Sequence, residues 1–265
     1  MKLIPSSLSS SHQELILLAP CASQAPAQFQ NVLIDPRRYQ SILADMQRMR
    51  GRIYLEDGAI ESRQLTSDGR HCSPADSNSW HLLTLDHKGS VSGCVRYRQH
   101  RNTVSFQELG LRNCALAESR EWGVKLKSAV EVDLAAARRE SISYVELGGW
   151  ALEKERRCTG EALRTALATY GLAQILGGSV GVATATVRNS SSSILRRLGG
   201  RAFEVAGEKL PPYYDPRYKC QMEIVRFSSG SPNPRYWRWI DQISATLLNV
   251  PVLSLAFPSA LAVAS

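Results

Sequence analysis

The sequence predicts an α/β protein, built mainly as one domain of about 200 residues with irregular ends. Two observations support this fold class. From residue 35 onward, short apolar and β-branched segments alternate with segments whose apolar residues recur at helical spacing. The 265 residues are 43% hydrophobic, 7% aromatic and 21% charged, as in an ordinary globular protein. This composition excludes disorder, collagen-like and coiled-coil structures as descriptions of the whole chain.

The first predicted element is a helix that begins after Asp35 and ends near Tyr54. Asp35 is a suitable N-cap residue, and Pro36 fits the first helical position. Apolar residues recur every three or four positions along this segment, which is typical of an amphipathic helix. A polar loop follows, and then a β-hairpin over residues 80–98 with its turn at 87–90.

The second half of the chain supplies the elements that carry the functional motifs. A long helix is expected over 115–140, because this segment holds few helix-breaking residues. A buried strand follows over 142–152, and its Gly148-Gly149 pair indicates a bulge or a close backbone approach. The later predicted elements are a helix over 160–176, a strand over 179–187, a short helix over 192–198, strands near 202–205 and 220–227, and a helix from 233 to about 248.

The two ends of the chain lack this alternation. Residues 1–30 are rich in Ser, Ala, Pro and Gln and are expected to form a flexible leader. A cleaved signal peptide is the alternative, but polar residues interrupt its apolar run. Residues 249–265 form an apolar tail, either docked or free, and its two prolines break it well short of the ~20 apolar residues of a membrane span. We therefore place a single domain at residues 31–248.

The cysteine spacing and the net charge indicate where the protein is located and what kind of partner it has. All six cysteines are far apart, with no Cys-x-x-Cys and no histidine at zinc-binding spacing, so we expect a cytoplasmic protein without a bound metal. The net charge of +8 favours an anionic partner. Arginines alternate with aromatic residues at 234–240, a pattern that can bind single-stranded nucleic acid. The same aromatic residues recur at helical spacing, so a packing face is the simpler interpretation and no nucleic-acid partner is expected.

The segment over 144–176 carries the clearest functional signal. A buried strand ends at Leu152, a charged loop follows, and Gly160 begins a helix. The first turn of such a helix has unpaired N–H groups, and together with the helix dipole they favour a phosphate. The loop contains no GK[ST] and no GxGxxG, so it matches neither of the two common nucleotide-binding loops.

Two motifs give this junction a more specific interpretation. Residues 157–162 follow the pattern R-x-x-G-x-A, and a strand, Asn189, a short helix and Gly199-Gly200 come after it in that order. This arrangement resembles the GNAT superfamily of N-acyltransferases, whose [RQ]-x-x-G-x-[GA] loop binds a pyrophosphate and whose Asn faces a pantetheine arm. The resemblance covers roughly residues 80–227. It implies the GNAT fold, with a mixed and mostly antiparallel central sheet flanked by helices.

The resemblance implies an enzyme that transfers an acyl group from a thioester to an amine by direct attack. The donor, acyl-CoA or acyl-phosphopantetheine, is then a co-substrate, and no cofactor is bound permanently. Direct attack requires no covalent nucleophile, so Cys158 is not assigned that role. The residues implied to contact the donor are Trp150, Ala151, Leu152, Arg157, Cys158, Thr159, Gly160, Glu161, Ala162 and Asn189.

The resemblance also implies positions for the acid–base groups. Glu146 stands where many relatives place a catalytic carboxylate, although a strand glutamate can equally be paired with an arginine. Many relatives carry a tyrosine on the short helix as the acid for the leaving thiolate. Arg196 falls at or next to that position here, so this acid is absent or comes from elsewhere, with Tyr213 and Tyr214 as the candidates.

The N-terminal part is similar to one branch of the superfamily, the acyl-homoserine-lactone synthases and N-acyl amino acid synthases. That branch has an R-x-R-[VI]-[FY] segment, an acidic loop and a hairpin that ends in G-x-x-R, which imply substrate-binding roles for Arg50, Arg52, Tyr54, Asp76 and Arg96. The departure lies in the central strand, where lactone synthases have E-[LI]-[ST]-R and this chain has Glu-Leu-Gly-Gly. Without that arginine, an N-acyl amino acid or the acylation product of another amine is expected rather than a homoserine lactone.

The partners implied are a small-molecule amine and, in this branch, an acyl carrier protein. A basic rim suits the carrier as well as the phosphates of CoA, and its members are Lys154, Arg156, Arg157, Arg164, Arg196, Arg197 and Arg201. Two other functions stay open at this point. One is an acetyl-CoA-dependent N-acetyltransferase of the same superfamily, and the other is a non-catalytic protein that binds acyl-CoA for regulation.

Overall fold

The computed structural model describes residues 14–157 and 159–255. Its helices are α1 (Pro36–Glu56), α2 (Gly123–Arg139), α3 (Glu161–Ile175), α4 (Ser191–Arg197) and α5 (Trp237–Leu247). Its strands are β1 (Glu14–Leu18), β2 (Val32–Ile34), β3 (Trp80–Leu85), β4 (Val91–His100), β5 (Ser143–Leu152), β6 (Ser179–Thr186), β7 (Arg201–Ala202), β8 (Glu204–Val205), β9 (Glu208–Lys209), β10 (Tyr213–Asp215), β11 (Cys220–Ser228) and β12 (Val252–Ser254).

One large mixed sheet organises the molecule. Its strand order is β10-β11-β6-β5-β4-β3-β1-β12-β2, and the short β7 pairs with β11. The pairs β5/β6, β1/β12 and β12/β2 are parallel, whereas the other pairs along this order are antiparallel. Buried apolar clusters lie against the sheet, and helices α1, α2, α3 and α5 contribute to them. The predicted fold class, a mostly antiparallel sheet flanked by helices, is confirmed.

The first helix and the hairpin form as the sequence predicts. The Asp35 carboxylate accepts a hydrogen bond from the Arg38 backbone N–H at 3.0 Å, with proline at the start of α1. The Asp86 carboxylate accepts backbone N–H bonds from Lys88 and Ser90, which fixes the turn between β3 and β4. Along α5, the apolar residues face the core, with Ile240, Ile243 and Leu247 buried.

The second helix is shorter than predicted. It begins at Gly123 rather than near residue 115, because the preceding residues form turns. The Ser119 hydroxyl accepts a hydrogen bond from the Trp122 backbone N–H, and Gly123 packs so closely on the Ala117 carbonyl that a side chain would not fit. The scarcity of helix-breaking residues over 115–140, on which the prediction rested, gave no sign of this tertiary contact.

The ends of the described chain belong to the sheet. β1 pairs with β3 and with β12, and β12 pairs with β2, so the two termini lie side by side. Leu17 and Val252 are register partners, and both are fully buried. The prediction of a flexible leader over 1–30 therefore needs correction from Glu14 onward, and the tail over 249–265 is docked at 252–254. The sequence did not reveal this pairing because β12 pairs with β1 and β2, which lie at the opposite end of the chain.

The central strands β5 and β6 separate where the site lies. Their parallel pairing runs from Ser143↔Ser179 to Leu147↔Ala183, after which β5 continues with β4 and β6 with β11. Gly149 has a φ of +62°, and the β4/β5 register shifts between Cys94 and Arg96. Glycine tolerates this left-handed backbone without strain. The predicted bulge at Gly148-Gly149 is confirmed, and it opens the gap between the two strands.

Candidate active site

A cavity of about 780 Å³ fills the gap between β5 and β6. Its walls come from the ends of both strands, the loop before α3, the start of α4, the end of α1 and the segment 110–114. Each sheet face contributes, because Ala166 belongs to one apolar cluster and Tyr213 to the other. The cavity is thus large enough for a small-molecule ligand and runs through the opening in the sheet.

The cavity brings together most of the residues that the sequence analysis singled out. The predicted site residues in its lining are Tyr54, Arg96, Glu146, Trp150, Ala151, Leu152, Arg157, Thr159, Ala162 and Asn189. They come from α1, β4, β5, the loop before α3 and the turn after β6. The structure therefore gathers into one place residues that lie more than a hundred positions apart in the chain.

Five of the predicted site residues lie outside this lining, and Cys158 lies outside the described residues. The five are Arg50, Arg52, Asp76, Gly160 and Glu161. Arg52 pairs with Glu153 at 3.0 Å on the surface. The Glu161 side chain is buried and lies 3.7 Å from Arg164 of the same helix, and burial raises the pKa of this carboxyl group.

Glu146 lies in the cavity as a carboxylate with many donors. His100 Nε2 donates to it at 2.9 Å, and the backbone N–H groups of Gly110 and Leu111 donate at 3.0 and 2.7 Å. The Arg98 guanidinium is 3.6 Å away. Burial alone would raise the pKa of Glu146, but these hydrogen bonds and charges outweigh it and hold the pKa below its usual value. Glu146 is therefore ionised at neutral pH, as a proton acceptor must be.

The residues considered as acids for the leaving group lie in different places relative to the cavity. Arg196 pairs with Glu223, with Nε 3.0 Å from the carboxylate, and it is not in the cavity lining. Tyr214 is 54% exposed and also lies outside the lining, whereas Tyr213 is buried and lines the cavity. Burial, followed by the neighbouring Cys114, raises the pKa of Tyr213, which keeps its hydroxyl protonated. Of the two candidate tyrosines, Tyr213 is the one in the cavity wall.

A buried ion pair lies behind one end of the cavity. Arg50 donates two hydrogen bonds to Asp76, at 3.0 and 2.6 Å, and both side chains are almost completely buried. Gln47 and the Ser73 backbone N–H also donate to the Asp76 carboxylate. Burial opposes ionisation of Asp76, but Arg50 overcomes this and holds the pKa of Asp76 far below its usual value. Arg50 donates a further bond to the carbonyl oxygen of His71 at 2.5 Å.

Arg96 connects this buried pair to the cavity. Its Nη1 donates to the Ser73 hydroxyl at 2.9 Å and lies 3.5 Å from the Asp76 carboxylate. Its guanidinium lies over Gly148, where an added Cβ would come within 3.3 Å of Nη2. A Cβ on Gly149 would instead meet the Arg96 Cβ at 3.2 Å and Nη1 of Arg50 at 3.3 Å. The buried Nε of Arg96 has no hydrogen-bond partner among the described residues. Arg96 therefore presents a positive charge to the cavity in the space that glycine leaves.

A second ion pair lies at the opposite end of the cavity. Asp57, the C-cap residue of α1, accepts hydrogen bonds from Arg157 at 3.0 and 3.2 Å. Asn189 Nδ2 is 3.4 Å from the same carboxylate, and Arg188 donates to the Asp57 carbonyl oxygen. All four residues line the cavity. The loop and the turn predicted to hold the donor therefore both contact Asp57.

The basic rim is largely neutralised within the protein, which the sequence did not reveal. Lys154 is 3.0 Å from Glu56, and Arg157, Arg164 and Arg196 pair with Asp57, Glu161 and Glu223. The number of basic side chains in this rim consequently overstates the positive charge that the rim offers to a partner.

Sequence reasoning missed three groups beside the predicted residues: Asp57, Arg188 and His100. Arg98 and His100 follow Arg96 at intervals of two on β4, so a strand assignment alone could have placed them on one face opposite Glu146. Asp57 gave no comparable signal, because its partner Arg157 lies a hundred residues later. Only the packing of α1 against the sheet brings the two together.

The comparisons with known proteins define the fold to which this site belongs. No protein-family profile matches the chain, and no curated protein sequence is significantly similar to it. Among solved structures, the chain has the fold of the acyl-homoserine lactone synthases. The CoA-dependent synthase BjaI, solved with SAM and isopentyl-CoA, is similar at a TM-score of 0.50 and 13% identity, over 94% of this chain and 95% of that one.

Two further structures show the same kind of match at lower scores. The CoA-dependent acyl-homoserine lactone synthase MesI gives a TM-score of 0.48 at 16% identity over 88% of this chain and 95% of that one. FeeM, an N-acyl amino acid synthase from uncultured soil microbes, gives 0.43 at 13% identity over 75% and 88%. The likeness to BjaI confirms the expected resemblance at the level of the fold.

Two further observations concern only the described residues. No helix there is long and apolar enough to cross a membrane. No group of three or more His, Cys, Asp or Glu side chains there is arranged to hold a metal ion.

Proposed function

We propose that this protein is an N-acyltransferase that moves an acyl group from a phosphopantetheine thioester to the amino group of an amino acid. One observation carries the proposal. A single cavity in the β5/β6 gap joins the Glu146 carboxylate to the predicted donor residues Arg157, Thr159 and Asn189. The fold shared with BjaI is consistent with this chemistry.

The reaction needs a neutral amine, a polarised thioester and a protonated leaving group. The amine nitrogen attacks the thioester carbonyl carbon, and the bond between that carbon and sulfur then breaks. Glu146, ionised and in the cavity wall, accepts the proton that the amine loses. The leaving thiolate takes up a proton from Tyr213, which lines the same cavity. Tyr213 then regains a proton from solvent and Glu146 releases one, which restores the enzyme. The products are an amide and a free thiol, so atoms and charge balance.

The proposed acceptor carries a carboxylate. Arg96 lines the cavity with its guanidinium beside Gly148, and an arginine is well suited to bind a carboxylate. The buried Arg50–Asp76 pair supports Arg96 from behind. The central strand has glycine where lactone synthases have arginine, which favours an open N-acyl amino acid over a lactone as the product.

The donor is proposed as an acyl thioester of CoA or of an acyl carrier protein. Small residues at the start of α3, including Ala162, leave room beside the cavity for a phosphate, and Arg157 supplies a positive charge. The internally paired rim lowers the electrostatic attraction for an acidic carrier, so charge favours neither donor. A direct comparison of acyl-CoA with acyl-carrier protein is therefore part of the test.

The test is release of free thiol from purified full-length protein. The protein is incubated with acyl-CoA or acyl-carrier protein and a panel of amino acids, including S-adenosylmethionine as the lactone-forming acceptor. We expect thiol release that depends on a carboxylate-bearing amine, with an N-acyl amino acid as the product. Release with acetyl-CoA and amines without a carboxylate would instead support an N-acetyltransferase. Tight CoA binding with no release from any donor would support a non-catalytic acyl-CoA-binding protein.

A further inference from the structure

The cavity contains a carboxylate where the donor's phosphate is expected. Asp57 lies between the loop before α3 and the turn after β6, in contact with Arg157 and Asn189. Both of these residues belong to the implied donor site, and both line the cavity with Asp57. The Asp57 carboxylate thus binds the cationic and polar groups that an anionic ligand would use.

The favourable contacts of the Asp57 carboxylate come from outside its own helix. Asp57 is the C-cap residue of α1, and a helix C-terminus carries partial negative charge, which disfavours a carboxylate. Arg157 compensates with a bidentate ion pair, the strongest geometry for such a pair. The two side chains are 20% and 34% exposed, so water and solutes reach the pair. A ligand can therefore exchange with the carboxylate.

We propose that Asp57 is a donor-selecting residue, a tethered carboxylate that occupies the anion subsite of Arg157 and Asn189 until a phosphate-bearing donor displaces it. The ligand class is a phosphate ester, here the phosphate of a phosphopantetheine donor. Arg188 extends the subsite, since it lines the cavity and already donates to the backbone of Asp57. The choice of donor rests on the proposed function, whereas the displacement itself concerns only anion binding.

The proposal makes a prediction opposite to that of a structural clamp. If Asp57 competes with phosphate, removing its charge frees Arg157 and strengthens donor binding. If Asp57 serves only to hold the donor loop in place, the same change loosens the loop and weakens donor binding. The sign of the change in affinity therefore separates the two roles.

The experiment measures CoA binding to full-length Asp57→Asn by titration calorimetry. We expect the Kd for CoA to fall about threefold to fivefold, the upper part of the range for a partly exposed ion pair. Glu56→Gln is the matched control. Glu56 is the adjacent acidic residue, it pairs with Lys154 of the same loop at 3.0 Å, and it does not line the cavity. Its Kd for CoA should stay within twofold of the wild-type value.

A donor without phosphate provides the second readout. With acyl-N-acetylcysteamine, Asp57→Asn should not show the gain in kcat/KM that it shows with acyl-CoA, because no phosphate competes with the carboxylate. An unchanged or raised Kd for CoA in Asp57→Asn would overturn the proposal, as would a Glu56→Gln variant with the same gain. Tighter CoA binding in a protein that transfers no acyl group would uphold the anion subsite and refute the proposed acyl transfer, so the two failures are distinguishable.

Discussion

Helix α1 makes an aspartate–arginine pair at each end of the cavity, and the two pairs differ in burial. Arg50 and Asp76 have side chains only 1% and 3% exposed, whereas Arg157 and Asp57 are 34% and 20% exposed. A buried charge that loses its partner is strongly destabilising, but an exposed pair contributes little to stability. The buried pair is therefore fixed in the structure, whereas the exposed pair can exchange its partners.

The largest expected effect comes from breaking the buried pair. Asp76→Asn leaves the Arg50 charge buried and unpaired, so the free energy of unfolding should fall by about 3–5 kcal/mol. Chemical denaturation of the variant and the wild type gives this value. A fall of less than about 1 kcal/mol would show that the buried pair behaves like a surface pair, and the contrast between the two ends would disappear.

The next effect concerns the Glu146 carboxylate, which lines the cavity but belongs to neither pair. Glu146→Gln removes the proton acceptor, so turnover should fall about a hundredfold while the Kd for CoA changes little. The measurement is thiol release under saturating donor and acceptor, with CoA binding determined separately.

Glu223→Gln is the matched control for this change. Glu223 is also a buried strand glutamate paired with an arginine, Arg196, but it does not line the cavity. Its loss should lower stability and leave turnover within a few-fold of the wild type. If Glu146→Gln behaves in the same way, Glu146 is a structural ion-pair residue and the proposed mechanism loses its base.

Acid should weaken the buried end. His81 Nε2 donates to the Asp76 carbonyl oxygen at 2.8 Å, and its buried Nδ1 has no partner among the described residues. Burial, helped by Arg50 and Arg96, lowers the pKa of His81 to about 4, although Asp76 opposes the shift. Below the unfolded-state value near 6.5, the unfolded chain gains a proton that the folded protein refuses. Stability is therefore complete above about pH 6.5 and declines toward pH 4.

The size of this acid effect follows from the shifted pKa. At pH 5 the loss attributable to His81 is roughly 2 kcal/mol. Denaturation at pH 8 and pH 5 measures the loss, and His81→Gln, which does not titrate, should show a clearly smaller one. An equal loss in the variant would place the acid sensitivity elsewhere in the protein.

How much the sequence predicted depends on whether the signal was local. The N-cap at Asp35, the hairpin turn at 87–90 and the glycine bulge in β5 are local patterns, and each appears as predicted. The strands at the two termini were missed because each pairs with the other end of the chain.

The same distinction applies to the candidate site. The motif around residues 157–162 predicted a donor-binding loop at this place in the chain, and the cavity includes Arg157, Thr159 and Ala162. The motif could not show that Asp57 pairs with this arginine, or that Arg50 and Asp76 lie behind the cavity rather than in its wall. Burial and charge pairing between distant segments depend on tertiary packing, which a single sequence does not encode in any local pattern.

The smallest expected effect is the stability change at the exposed pair, and it completes the contrast. Asp57→Asn makes the same chemical change as Asp76→Asn at the opposite end of the cavity. Water can solvate Arg157 when its partner is neutral, so the free energy of unfolding should change by less than about 1 kcal/mol. Denaturation under the conditions used for Asp76→Asn measures it. A loss near 3 kcal/mol would mean that Asp57 fastens α1 to the donor loop, and a carboxylate with that role would not give way to a phosphate.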